Sequence, residues 1–143
     1  MESKAPAGNI WAALADIGGI HRWNPGVVDS RETSEGETRL GATRRCDLGG
    51  KNYLDEEVVK WTPDREITFR ITDTNLPFAR ADIHFAIEEL AGGGSRVSVS
   101  PDYALKFGIL GRVLDGLVMN RMYRKGMRDL LAGLKAEVER SAG

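Results

Sequence analysis

Residues 107–139 contain no proline, and Leu, Met, Arg and Lys dominate them. That composition predicts one long C-terminal helix. Ile109, Leu110, Val113, Leu114, Leu117 and Val118 make its first half apolar over a wide arc. The second half narrows to Met127, Leu130, Leu131 and Leu134 between charges. A helix of this kind needs a large apolar partner, which restricts what the rest of the chain can be. The only candidate is a sheet. Over 66–73, Ile67, Phe69 and Ile71 alternate with Thr68, Arg70 and Thr72. Over 82–89, Ile83, Phe85 and Ile87 oppose Asp82, His84 and Glu88. Over 95–105, Val97, Val99 and Tyr103 oppose Ser98, Ser100 and Asp102. Period-2 alternation of this kind marks an antiparallel sheet with one dry face and one wet face.

The remaining segments fill in the order. Ile10, Trp11 and Leu14 predict a helix over 5–16 with Pro6 in its first turn. Gly18 and Gly19 stop it, and a short second helix over 20–23 ends at Asn24 and Pro25. Strands are expected over 27–32, 41–48 and 53–61, with turns at Gly49-Gly50, Thr62-Pro63-Asp64-Arg65 and Gly92-Gly93-Gly94. Helices first, then about six strands, then one long helix is an α+β pattern in a single domain spanning all 143 residues. A curved sheet wrapped around one helix leaves a gap that side chains do not fill, so a mainly apolar pocket with a few polar groups is expected.

Bulk properties exclude several classes. The formal net charge of -1 gives no electrostatic footprint for nucleic acid. No apolar run reaches the roughly 18–20 residues that span a bilayer, and 1–9 lack the apolar stretch of a signal peptide. A lone cysteine, Cys46, excludes an internal disulfide and fits a reducing, cytoplasmic setting. His21 and His84 stand apart from any Cys/His cluster, so neither a metal nor another cofactor is expected. The glycine pairs lead into no helix bearing the lysine of a phosphate loop.

Ala5-Pro6 followed by Ile10-Trp11, Leu14-Ala15-Asp16 and His21-Arg22-Trp23-Asn24-Pro25 resembles the opening of the polyketide cyclase/dehydrase family. The resemblance continues through Gly41-Ala42-Thr43-Arg44-Arg45, the strand end Val58-Val59-Lys60-Trp61-Thr62-Pro63, and 107–115. That family belongs to the SRPBCC superfamily, with START-type lipid-binding domains, birch-pollen-allergen-like proteins and abscisic-acid receptors. It implies the helix-grip fold: a curved antiparallel sheet around a long C-terminal helix, with two short N-terminal helices. The superfamily hosts binders, transporters, cyclases and hydrolases, so the fold does not supply the chemistry. Family members usually carry a full first strand, whereas four residues precede Ala5 here.

With Ile67, Phe69 and Ile71 inward, Asp73 falls in phase at the strand mouth. Phasing the neighbours puts Tyr53, Asp55, Glu57 and Val59 inward, and Ala42, Arg44, Cys46 and Leu48 inward. The similar Gly-x-Thr-Arg strand of abscisic-acid receptors implies the same direction for the latter set, although a slip of one residue would reverse either assignment. Arg44, Asp55 and Glu57 then converge in an apolar cavity, as a ligand anchor or as a self-satisfied ion-pair cluster. Buried Asp55 or Glu57 could also serve as an acid or base. Cys46 reads as a small buried hydrophobe.

Phe69, Ile71, Phe85 and Val99 line the expected cavity from the sheet, and Leu114 and Leu117 line it from the helix. Tyr103 needs a buried partner or a ligand for its hydroxyl. Arg121 follows the apolar arc and reads as lining or as a surface salt bridge; Trp23 reads as lining or as core. The loop carrying Leu76, Pro77 and Phe78 has an apolar tip, which suits a gate or simple packing on the helix. Met119, Met122 and Met127 suit either an adaptable pocket or ordinary core.

Binding of a hydrophobic small molecule, lipid-like or polyketide-like, is the leading expectation. The alternative is a cyclase, dehydratase or hydrolase acting on an apolar substrate in the same cavity. A third reading uses the wide apolar arc, or an unpaired sheet edge, as an interaction face such as a homodimer contact.

Overall fold

The computed structural model describes residues 1–37, 39–105 and 109–142, with side chains except at 105, 109–120, 122, 123, 141 and 142. The elements are β1 (Glu2–Ser3), α1 (Ala7–Ala15), a 3₁₀ helix (Ile17–Arg22), β2 (Asp29–Glu32), β3 (Thr43–Gly49), β4 (Asn52–Thr62), β5 (Glu66–Thr74), β6 (Phe78–Glu89), β7 (Ser95–Leu105) and α2 (Ile109–Ala142). The strands form a seven-stranded antiparallel sheet in the order β1-β7-β6-β5-β4-β3-β2. The sheet is curved, and the fold is the helix-grip arrangement expected from the sequence.

Local chemistry explains the boundaries. Pro6 sits at the N-cap of α1 in extended conformation, and its carbonyl accepts hydrogen bonds from the Asn9 and Ile10 amides at 3.0 and 3.4 Å. The helix therefore begins one residue after the proline rather than around it. Ala7, Ile10 and Leu14 form its buried face. Asp64 turns the β4–β5 hairpin at φ 63, a left-handed conformation that aspartate tolerates better than most residues. Gly18 lets the 3₁₀ helix lie against β2, since a Cβ there would stand 2.8 Å from the Glu32 nitrogen.

The first strand, β1, spans two residues. Glu2 and Ser3 pair with Arg96 and Ser95, and the Met1 carbonyl accepts from the Val97 amide at 2.7 Å. Charge pairs cross the wet face of the sheet: Arg70 with Asp82, Arg80 with Asp102, and Arg96 with Glu2 and Glu88. Exposed pairs of this type add little stability each, but they favour the observed register.

The dry face carries Ile67, Phe69, Phe85, Ile87 and Val97, all buried. Leu130, Leu134 and Val138 of α2 pack into the same cluster at four-residue spacing, together with α1. The described part of α2 meets α1, β1 and β7, on one flank of the sheet. Gly133 makes this docking close, because a Cβ there would collide with the Trp23 carbonyl oxygen. Trp23 is buried in this core.

Two irregularities in β4 and β5 change which side chains face inward. Lys60 pairs with Thr68 and Val58 with Phe69, so Val59 is an extra residue on β4. Asp55 pairs with Asp73 and Glu56 with Ile71, so Thr72 is an extra residue on β5. A bulge inserts one residue and reverses the parity of the strand beyond it. Trp61 therefore faces inward, edge-on to Trp11 at 4.8 Å, yet beyond Val59 the inward residues are Val58, Glu56 and Leu54. The expected inward set Tyr53, Asp55, Glu57 and Val59 is corrected by this bulge. The one at Thr72 likewise turns Asp73 out of the cavity phase.

Candidate functional site: a cavity between sheet and helix

A cavity of about 530 Å³ lies between the sheet and residues 125–130 of α2. β3 contributes Arg44, Cys46 and Leu48, and β4 contributes Leu54 and Glu56. Ile71 comes from β5, and Phe78, Ile83 and Phe85 come from β6, with Leu76 from the loop between them. Ile20 and the stretch Asn24, Pro25, Gly26 and Val27 wall one end. Across from the sheet stand Lys125, Gly126, Met127, Asp129 and Leu130. The volume lies in the range common among small-molecule pockets, and the lining is mainly apolar with few polar groups.

The polar point of this cavity is a buried ion pair. Arg44 and Glu56 are each 3% exposed, and they are direct partners across β3 and β4. Arg44 Nε donates to Glu56 Oε1 at 3.0 Å, and another guanidinium nitrogen donates to the Ile17 carbonyl at 3.2 Å. The guanidinium also lies over the Phe69 ring, 3.8 Å from its centroid. Cys46 Sγ donates to the same Oε1 at 3.5 Å. Glu56 Oε2 is buried and has no hydrogen-bond partner among the described residues. Burial pushes the Cys46 thiol from its usual 9.0 up to about 12, so it is protonated at neutral pH and poorly suited to nucleophilic attack.

The expected site residues divide as follows. Arg44, Cys46, Ile71, Leu76, Phe78 and Phe85 line the cavity. Phe69 lies under the Arg44 guanidinium and edge-on to Phe85 at 6.2 Å, in the core beneath the lining. Trp23 is core rather than lining. Tyr53, Asp55 and Glu57 do not line the cavity. Asp55 instead accepts two hydrogen bonds from Arg45, at 2.6 and 2.7 Å, on the other face of the sheet. Tyr53 stacks under that arginine at 4.3 Å, and its hydroxyl donates to Asp73 at 2.9 Å. The expected convergence of Arg44 with Asp55 and Glu57 is thus replaced by Arg44 with Glu56.

Val99, Tyr103 and Arg121 belong to an adjoining groove of about 770 Å³, which shares Lys125 and Met127 with the main cavity. Phe78 meets Tyr103 edge-on at 5.8 Å between the two spaces. Leu114, Leu117, Met119 and Met122 lie outside the described side chains. His84 faces outward and shares a hydrogen bond with Thr68 Oγ1 at 2.6 Å. His21 is held by Ser30, whose hydroxyl lies 2.6 Å from its Nδ1.

The loop at Leu76 is tied to the facing hairpin. Asn75 Nδ2 donates to the Lys51 carbonyl at 2.7 Å, and Asn75 Oδ1 accepts from the Tyr53 amide at 3.0 Å. Thr74 Oγ1 donates to the Tyr53 carbonyl at 2.7 Å. Among the described residues no group of three or more His, Cys, Asp or Glu side chains could hold a metal, and no helix is long and apolar enough to cross a membrane.

Sequence reasoning passed over Glu56 and Leu54. Their signal was the inward phase of Arg44 and Cys46, because directly opposed residues of an antiparallel pair share a face.

Solved structures share this architecture. The Zhui aromatase/cyclase from a Streptomyces species superposes with a TM-score of 0.84 at 18% identity, covering 100% of this chain and 92% of its own. A protein from Thermus thermophilus gives 0.80 at 22% identity, with 100% and 96% covered. A START superfamily protein from Mycobacterium smegmatis gives 0.77 at 18% identity, with 98% and 94% covered. At these identities the likeness shows the fold alone. A comparison with curated proteins gave no match. The model of the polyketide cyclase / dehydrase and lipid transport family matches residues 1–139, and the chain belongs to that family.

Proposed function

We propose that this protein binds a hydrophobic small molecule, lipid-like or polyketide-like, in the cavity between the sheet and α2. The observation that carries the reading is the cavity itself: about 530 Å³, walled mainly by Ile, Leu, Phe, Val and Met side chains, with one buried ion pair at its polar point. Transfer of an apolar molecule into such a space is favourable by about 25 cal/mol for each Å² of apolar surface it hides. The test is titration with the neutral dye N-phenyl-1-naphthylamine, whose fluorescence rises in apolar surroundings. Saturable enhancement is expected in the native protein. It should be lost in Leu54→Trp, which fills the cavity from β4. A native protein that gives no saturable signal overturns the reading.

A second reading is an enzyme of cyclase, dehydratase or hydrolase type in the same cavity. The observation favouring it is Glu56, a carboxylate in the apolar lining with one oxygen free of partners among the described residues. Such a group can accept a proton from a bound substrate. Liquid chromatography with mass spectrometry would follow an added polyketide-like substrate for a new product peak, of equal mass for a cyclisation and of altered mass for a dehydration or hydrolysis, and the peak should vanish in Glu56→Gln. Conversion that persists in that variant removes Glu56 from the chemistry.

A further inference from the structure

The polar groups of the cavity differ in what they leave open. Lys125 and Asp129 bond each other at 2.8 Å. Asn24 Oδ1 accepts from the Gly26 amide at 3.0 Å. The Arg44 charge is balanced by Glu56 at 3.0 Å, with Ile17 and the Phe69 ring holding the guanidinium in place. Glu56 Oε1 already receives two donors. Only Glu56 Oε2, on a side chain 3% exposed, is a buried oxygen of the lining without a partner among the described residues. An unsatisfied buried acceptor is unfavourable, and more so where it is charged.

We infer that the cavity selects apolar molecules bearing a neutral hydroxyl, whose O–H donates to Glu56 Oε2. This rests on the cavity reading above and names the ligand class within it. A carboxylate ligand is disfavoured, because Glu56 already balances Arg44 and a second anion would be buried unbalanced. An ammonium ligand would add a second cation beside Arg44, with the same result. An ether or a hydrocarbon leaves Oε2 without a donor. A hydroxyl adds no charge and supplies the missing donor. The last torsion of a glutamate is broad, so a small rotation of the whole carboxylate can bring Oε2 toward the ligand with Oε1 still within hydrogen-bond reach of Arg44.

Three probes with one skeleton separate these cases: 2-naphthol, 2-methoxynaphthalene and 2-naphthoate, each displacing N-phenyl-1-naphthylamine from the native protein. The expected result is that 2-naphthol binds at least about tenfold more tightly than either of the others. In Glu56→Gln the side-chain carbonyl stays with Arg44 and the amide N–H₂ faces the cavity, so 2-naphthol should lose its advantage over the methyl ether, both being acceptors, and 2-naphthoate should gain, since Arg44 is then unbalanced. Should that variant not fold, Arg44→Met combined with Glu56→Leu keeps the volume without the charges. It should bind 2-naphthol and 2-methoxynaphthalene alike. Native protein that binds the dye but shows equal affinity for 2-naphthol and 2-methoxynaphthalene, or prefers 2-naphthoate, overturns the inference and leaves the cavity reading standing. Native protein that does not bind the dye sinks both.

Discussion

Removing one member of the Arg44–Glu56 pair is expected to be among the most damaging point changes in this chain. Glu56→Leu keeps the volume but takes away the acceptor at 3.0 Å from Arg44 Nε. The guanidinium, 3% exposed, is left with the Ile17 carbonyl at 3.2 Å and the Phe69 ring at 3.8 Å. Neither carries the compensating charge. Stranding a buried ion in this way costs about 3–5 kcal/mol. Arg44→Met strands the carboxylate, whose remaining neighbour is the weak Cys46 Sγ donor at 3.5 Å, and should cost about as much. The double replacement, Arg44→Met with Glu56→Leu, strands nothing and should be near neutral or stabilising by about 1–4 kcal/mol. The two single costs therefore sum to about 6 kcal/mol or more above the double. Urea unfolding followed by tryptophan fluorescence measures all four proteins. With a slope of about 2 kcal/mol/M, each single change lowers the midpoint by roughly 2 M. Single changes costing under about 1 kcal/mol, or a double cost equal to the sum of the singles, would refute the reasoning, for water would then be reaching the pair.

Two of the glycines of α2, Gly133 and Gly126, should respond in opposite directions to alanine. Gly133→Ala should destabilise by about 1–3 kcal/mol, because the new methyl meets the Trp23 carbonyl; a rise in thermal midpoint would contradict the close docking. Gly126→Ala should stabilise by about 0.5–1 kcal/mol, since a Cβ there has no neighbour within 4 Å and the helix gains propensity; a fall in the urea midpoint would contradict it. The Cys46 thiol should resist iodoacetamide at pH 8 in the folded protein and react once urea unfolds it, as mass spectrometry would show. Between pH 9.0 and about 12 the unfolded thiol ionises while the folded one stays protonated. Its contribution is therefore full below about pH 9 and is lost as pH rises toward about 12. Cys46→Ala should flatten that alkaline loss of stability relative to the native protein, and equal slopes would count against the burial of the thiol.

How far the site could be read beforehand follows from the same residues. β5, β6 and β7 carry uninterrupted alternation over most of their length, so Ile67, Phe69, Phe85 and Val97 declared the dry face by their spacing. Arg44 and Cys46 followed from one strand of regular period, supported by a resemblance. β4 was different, because Tyr53, Leu54, Asp55, Glu56, Glu57, Val58 and Val59 contain no clean alternation to reveal a parity. Two neighbouring carboxylates, Asp55 and Glu56, offered equal claims to the inward position. Cross-strand pairing assigned Asp55 to Arg45 and Glu56 to Arg44.

The amino-acid order alone determined α1, the strands β2 to β7 with their antiparallel pairing, and the long closing helix, though not β1 or the 3₁₀ form of the second helical turn, because side-chain period, proline and glycine placement and turn chemistry act over a few residues. It also made a hollow between sheet and helix the expected outcome. Tertiary structure decided which carboxylate reaches that hollow. The bulge at Val59 reverses parity, and its position depends on pairing with β5 across a turn rather than on any local preference. The same holds for Gly133 against Trp23, a contact spanning most of the chain that exists only once α2 has docked.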